Sequence, residues 1–283
     1  MSISGGLTAG GGLILLRQVK PNVAAWAGFL RRTPRGGRGL GLWHWSARVV
    51  IGAAATLAVL AVVVVTIDAW AIGQSRALPP EFHMIFGTIT DFGKSGWFLF
   101  PIGLALVVLG LVASPRIGRG CLLVVAALAV RLSFVFAAIA LPGLFATIVK
   151  RLIGRARPFV GGSADPYLYD PFVWQAAYAS LPSGHATTAF AASVAIGSLW
   201  PQTRPYVWLY ALLIAVSRVV VTVHHPSDVI AGAVVGVVGA VLVRNWFAGR
   251  RLAFTIDAGG NVHRMPAPSW RRIKSVARRL WAA

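Results

Sequence analysis

Eight residues in the second half of the chain carry groups that could do chemistry: Lys150, Arg157, Ser183, Gly184, His185, Arg218, His224 and Asp228. They fall in three polar stretches, KRLIGRARP (150–158), PSGH (182–185) and SRVVVTVHHPSD (217–228), each bordered by apolar sequence. The set suits a phosphate. Lysine and arginine neutralise phosphate oxygens, and arginine can do so bidentately. Ser183 offers a hydroxyl. Gly184 permits close backbone approach, and a turn opening into a helix aims free N–H groups at an anion. Two histidines can divide the work, one attacking and one handling protons. His224 and Asp228 are four apart, so on a shared helical turn the carboxylate would neighbour the imidazole, fix its tautomer and stabilise the cation that forms. A metal is the competing use of His185, His224, His225 and Asp228. No H-x-x-x-H or H-E-x-x-H spacing occurs, cysteine ligands are absent, and the nearby cations would repel a dication. No metal or other cofactor is expected.

These stretches need elements to bring them together, and composition says which kind. Of 283 residues, 57% are hydrophobic and only 12% charged, against about 25% charged in a soluble domain. The deficit lies in long apolar runs, which implies an integral membrane protein. Six runs stand out, at 49–67, 97–113, 121–149, 186–200, 206–223 and 229–243. The expected fold is therefore all-α, a polytopic bundle of six transmembrane helices. The third run is longer than one crossing needs and contains Arg131; with a helix starting near Leu128, that arginine would snorkel to the cytoplasmic side. Residues 1–48 read as a basic, flexible N-terminal region with no evident cleavable signal, 49–243 as the membrane domain, and 244–283 as a basic tail. In the tail, Trp270, Ile273, Val276 and Leu280 lie near helical spacing among basic residues, as in an amphipathic helix on an anionic leaflet. Gly232 and Gly236 form a G-x-x-x-G that suits helix packing. The lone cysteine, Cys121, excludes an internal disulfide framework.

The chain carries 27 basic and 7 acidic residues, a net charge of +20. Nucleic-acid binding is one reading of such a balance, but topology accounts for it and no nucleic-acid partner is expected. Seven basic residues precede the first run, two lie between the second and third, one between the fourth and fifth, and nine in the tail. Six crossings put all of these on one side, so both termini are expected in the cytoplasm. The connection after the third run then lies outside, yet holds Lys150, Arg151, Arg155 and Arg157. Positive charge clustered on the disfavoured face asks for an anionic ligand. Arg151 and Arg155 read as charges facing headgroups or lying behind the site, His225 as a polar surface residue, and Asp91 and Lys94 as lining the site entrance.

Taken in order, K-x6-R-P, P-S-G-H and S-R-x5-H-x3-D resemble the three signature motifs of the type-2 phosphatidic acid phosphatase superfamily, with every signature position filled. The resemblance spans about 57–243. It implies that His224 attacks phosphorus in line to give a phosphohistidine, that His185 protonates the leaving oxygen and then activates water, and that Asp228 orients His224. Lys150, Arg157 and Arg218 would hold the phosphoryl oxygens, with Ser183 and Gly184 helping and no metal required. Membrane surroundings point to a lipid phosphate substrate at the outer membrane face: polyprenyl diphosphate, phosphatidic acid, phosphatidylglycerophosphate or lipid A phosphate. Composition suggests a bacterial inner membrane, with the site facing the periplasm or exterior. Two rivals share the residues. A lipid phosphotransferase would pass the phosphoryl group to an alcohol instead of water, and an anion transporter would use the cations and need no nucleophile.

Overall fold

The structure is a computed structural model that describes residues 47–112 and 118–281, with isolated positions 24, 28, 31 and 33 before them. Most of residues 1–46, and so the expected flexible N-terminal region, lie outside the described residues. Apolar sequence without prolines carries α1 (Ala47–Val63) through a π-helical segment (Val64–Asp68) into α2 (Ala69–Arg76). Pro80 opens α3 (Pro80–Asp91), where its fixed φ and missing N–H are tolerated. A short turn leads to α4 (Gly96–Val112). The longest helix is α5 (Gly118–Ile153), with 36 residues. At 1.5 Å per residue it is about 54 Å long, well beyond a hydrocarbon layer of about 30 Å. Then come α6 (Gly184–Leu199), α7 (Arg204–Val220) and α8 (Pro226–Gly249). The tail forms an antiparallel pair, β1 (Phe254–Ile256) and β2 (Val262–Arg264), and α9 (Trp270–Trp281).

Among the described residues, four helical stretches are long and apolar enough to cross a membrane: Val49–Arg76, Pro80–Leu111, Gly118–Ile153 and Pro226–Gly249. The protein is thus a mostly helical integral membrane protein. With 16 and 17 residues, α6 and α7 are about 24 to 26 Å long, shorter than the other four. The sequence did not announce α3, whose apolar and polar residues interleave.

The chain divides into two compact units. Among the described residues, one includes 100–112, 118–134 and 245–281. In it, Cys121, Val124 and Val125 of α5 pack against Val276, Ile273 and Leu280 of α9, so part of the apolar stripe expected to face a leaflet is covered by protein, while Trp270 stays exposed. Phe134 meets Phe247 and Phe254 edge-on at 5.5 and 4.8 Å. Arg131 is not a snorkelling residue at a helix start near Leu128, because α5 begins at Gly118. Its guanidinium reaches the tail and donates to the carbonyls of Met265 (3.1 Å) and Pro266 (2.7 Å).

The second unit comprises 41–99 and 135–244 and contains every residue singled out for chemistry. Its centre is α6, an alanine-, serine- and threonine-rich helix whose side chains are nearly all buried. Small residues let neighbours approach closely. A Cβ on Gly232 or Gly236 would collide with the carbonyls of Ser183 and Thr187, so this G-x-x-x-G seats α8 directly on α6. On another side, Ser193 donates to the Val207 carbonyl of α7 and Phe190 meets Trp208 at 5.6 Å. Ala186, Ala189, Phe190, Ala211, Ile214 and Val229 form the core beneath the polar stretches.

Candidate active site

Helix ends supply most of the site. Lys150 lies in the last turn of α5 and Arg218 in the last turn of α7. Ser183 caps α6, accepting weakly from the Ala186 amide (3.5 Å), and Gly184 and His185 open that helix. The amides of a first helical turn have no acceptor within the helix and point outward. A Cβ on Gly184 would lie 3.2 Å from Lys150 Nζ, so glycine there keeps the lysine against the helix start. Arg157 stands in the loop after α5, pinned by its own amide to the Ala177 carbonyl (2.8 Å). The backbone joins the second and third polar stretches as well, the Ser183 amide donating to the Asp228 carbonyl at 2.9 Å.

His224 and Asp228 do not share a helical turn as the spacing suggested. His224 precedes α8, in a turn where Thr222 adopts φ 52°, and Asp228 lies in the first turn of α8. His224 Nδ1 stands 3.6 Å from Asp228 Oδ2, beyond hydrogen-bond range. Ser180 closes the gap: its hydroxyl donates to Asp228 Oδ2 at 2.6 Å and sits 3.3 Å from His224 Nδ1. Because that hydroxyl proton is committed to the carboxylate, its lone pairs face the imidazole. The matching tautomer carries the proton on Nδ1 and leaves Nε2 a free base. Burial pushes the His224 imidazole down to about 4, against the opposing pull of Asp228, so the ring is neutral near pH 7.

Two cations stand in front of these groups. Arg218 is 7% exposed and donates to Thr90 Oγ1 at 2.7 Å. The Nε atoms of Arg218 and Arg157 are buried without a hydrogen-bond partner. Neither guanidinium forms an ion pair with a carboxylate among the described residues. Burial, and Arg151 beside it, hold Arg157 below its ordinary value. Cations drawn out of water without a carboxylate partner are costly, and an anion between them would relieve the cost. The α3–α4 turn reaches the same place: a Cβ on Gly93 would meet the His185 ring at 2.9 Å. Asp91 and Lys94 of that turn form an exposed pair at 2.8 Å.

Several residues differ from expectation. Of the two places expected for Arg155, it takes the one behind the site and not the one facing headgroups: it is fully buried and donates to Asp68, Ser227 and Asp228. His225 is no surface residue either. It is 0% exposed, its amide donates to Asp228 Oδ2 (2.9 Å), and its ring nitrogens lack hydrogen bonds. Arg151 braces the loop through the carbonyls of Trp174 and Gln175. Asp68, Thr90, Ser180 and Ser227 escaped sequence reasoning. Only Asp68 left a signal, as a lone carboxylate in apolar sequence.

With this geometry in view, comparison with known proteins places the chain. Residues 131–252 match the model of the PAP2 superfamily. A lipid A 1-phosphatase of Rhizobium johnstonii is 32% identical over 84% of this chain and 95% of its own length. A decaprenylphosphoryl-5-phosphoribose phosphatase of Mycobacterium tuberculosis is 32% identical over 58% of this chain and 80% of its own length. The crystal structure of a transmembrane PAP2-type phosphatidylglycerolphosphate phosphatase from Bacillus subtilis superposes with a TM-score of 0.50 at 20% identity, covering 70% of this chain and 94% of that one. A membrane-embedded, helical phosphatase is the class these matches define. The chain belongs to the PAP2 superfamily.

Proposed function

We propose that this protein hydrolyses the phosphate ester of a membrane lipid through a phosphohistidine, with a lipid A-type glycosyl phosphate as the first substrate to test. The observation that carries the reading is the pairing of two cations lacking carboxylate partners, half-buried Arg157 and buried Arg218, with a neutral histidine whose Nδ1 is already engaged. In the first step His224 Nε2 attacks phosphorus, forming the N–P bond as the bond to the lipid oxygen breaks. That oxygen takes a proton from His185. In the second step water attacks phosphorus, gives its proton to His185, and the N–P bond breaks to release inorganic phosphate. Lys150, Arg157, Arg218 and the amides at the start of α6 hold the three phosphoryl oxygens, where positioning and charge supply most of the catalysis. Ser183 adds its hydroxyl, and Asp228 stabilises the charge that grows on His224.

The choice of lipid rests on the near full-length likeness to a lipid A 1-phosphatase. Counting α6 and α7 as crossings gives six spans, both termini in the cytoplasm and the site at the outer face, as the distribution of lysine and arginine requires. The test is a panel of lipid A, phosphatidic acid, phosphatidylglycerophosphate and undecaprenyl diphosphate in detergent micelles. Free inorganic phosphate and an acid-labile labelled protein are expected with at least one of them. Label recovered on an acceptor alcohol would indicate phosphotransfer. Full phosphate release by folded His224→Ala would overturn the mechanism.

A further inference from the structure

One cluster behind the site is not used by the chemistry above. Asp68 ends the π-helical segment of the first apolar stretch and is fully buried. Single π-turns inside long helices tend to occur at functional positions, and a carboxylate in a membrane segment is costly unless something holds it. Here three donors hold it: Arg155 Nη2 at 2.8 Å, the Ser227 amide at 2.9 Å, and the Ser227 hydroxyl. Arg155 in turn uses all three of its nitrogens. Its Nη1 donates to Asp228 Oδ1 (2.6 Å) and to Ser227 Oγ (2.7 Å), and its Nε to the Pro166 carbonyl (3.0 Å). Asp228 Oδ1 is thereby occupied, which leaves Oδ2 to Ser180 and the His225 amide.

We propose that Asp68, acting through Arg155, is a positioning residue that sets both the orientation and the effective charge of Asp228 behind His224. The inference rests on the reading of His224 as nucleophile. Arg155 alone would neutralise Asp228 and weaken its hold on an imidazolium. A second carboxylate on the far side of the guanidinium returns the Asp68–Arg155–Asp228 group to a net single negative charge. The nucleophile then keeps an anionic partner, while Arg155 fixes the carboxylate in place. If the cluster were only a structural tie, Asp68 and Arg155 would have no opposite effects on His224.

That contrast is the test. The groups acting on His224 are Asp228 of α8, Arg218 of α7, Arg157 of the loop after α5, and His185 of α6, with His225 adjoining in the same turn. All stay unchanged in Asp68→Asn and Arg155→Gln. Titration of the His224 ring is followed by NMR of ring-labelled histidine, assigned by the His224→Ala spectrum, alongside phosphate release from lipid A in micelles. Asp68→Asn removes a negative charge and lowers the His224 pKa. Arg155→Gln removes a positive charge and raises it. Each shift is expected to be roughly half a unit. The double variant restores the net charge and returns the titration to its original position. Asp68→Asn also lowers kcat by about 10- to 100-fold with KM within about twofold, the effect of loosening a partner that orients a reactive group, and Arg155→Lys recovers part of the activity lost in Arg155→Gln. Shifts in the same direction, or none, would overturn the proposal. Should Arg155→Gln not fold, the isosteric Asp68→Asn decides alone. Failure of the phosphatase reading looks different: His224→Ala would retain turnover, whatever the titrations do.

Discussion

Arg155 and Arg157 leave the same loop two residues apart, and their surroundings are opposite. Arg155 is fully buried, with ion pairs to Asp68 at 2.8 Å and Asp228 at 2.6 Å. Burial works against its charge, but Asp228 and Asp68 more than offset this and hold the guanidinium above its ordinary value. Arg157 has a buried Nε without a partner, and burial moves it the other way. The first arginine belongs to a finished structure. The second is left without a carboxylate partner, as the proposed function requires of a phosphate-binding arginine. Alternation along extended backbone does not separate them, since residues two apart share a face; what differs is the tertiary surroundings of each side chain, in a loop whose amides are fastened, Ala156 to Leu168 and Arg157 to Ala177.

The largest effect tests what lies between the two regions. His224→Ala is expected to cut kcat on the preferred lipid by at least about a thousandfold while leaving the melting temperature in detergent little changed. Comparable turnover in that variant would make the contrast irrelevant to catalysis.

Next, alanine at each arginine should give opposite profiles. Arg157→Ala is expected to lower kcat/KM by about 100- to 1000-fold, as for loss of a donor to the transition-state oxygens, with stability maintained or improved because a half-buried cation without a carboxylate partner is gone. Arg155→Ala leaves two buried carboxylates uncompensated and is expected to cost about 3–5 kcal/mol of stability, measured by thermal unfolding. Equal stability losses in both variants would break the comparison.

A pH profile sharpens it further. The proposed nucleophile, His224, must be neutral to attack, and burial holds it down to about 4, below the unperturbed histidine value of about 6.5. On the acid side kcat/KM should therefore stay level from neutrality and fall only as pH drops through about 4, since protonation of the free enzyme removes the base. A decline assignable to His224 already near pH 6.5 would contradict the buried, neutral ring.

The smallest effect belongs to the exposed pair at the entrance. Asp91 and Lys94 are both well exposed at 2.8 Å separation, and such pairs contribute little. Asp91→Asn should change kcat/KM by less than about twofold, and a larger loss would enrol the α3–α4 turn in substrate binding.

The apolar runs and the three polar stretches were readable in the sequence because each is a local pattern. Length and hydropathy define a membrane helix, and Lys150, Arg157, His185, Arg218 and His224 lie within a few residues of a helix end or turn. Less readable were elements whose stability comes from partners. Amphipathic α3 supplies Thr90 to the site and the turn after it supplies Gly93, and the value of both depends on packing against α7. Ser180 is a neutral residue three before Ser183, and nothing in its type or spacing marks it as the bridge between His224 and Asp228.

By itself, then, the sequence determined that this chain lives in a membrane and holds the residues for phosphate chemistry, since composition, period and motif are properties of short segments. That Arg155 pairs with both Asp68 and Asp228 while Arg157 has no carboxylate partner among the described residues was a tertiary decision. So were the burial of His225 and the recruitment of Asp68, 160 residues before Asp228. Ion pairs and hydrogen bonds form between groups that folding brings within about 3 Å, and no spacing along the chain encodes that distance.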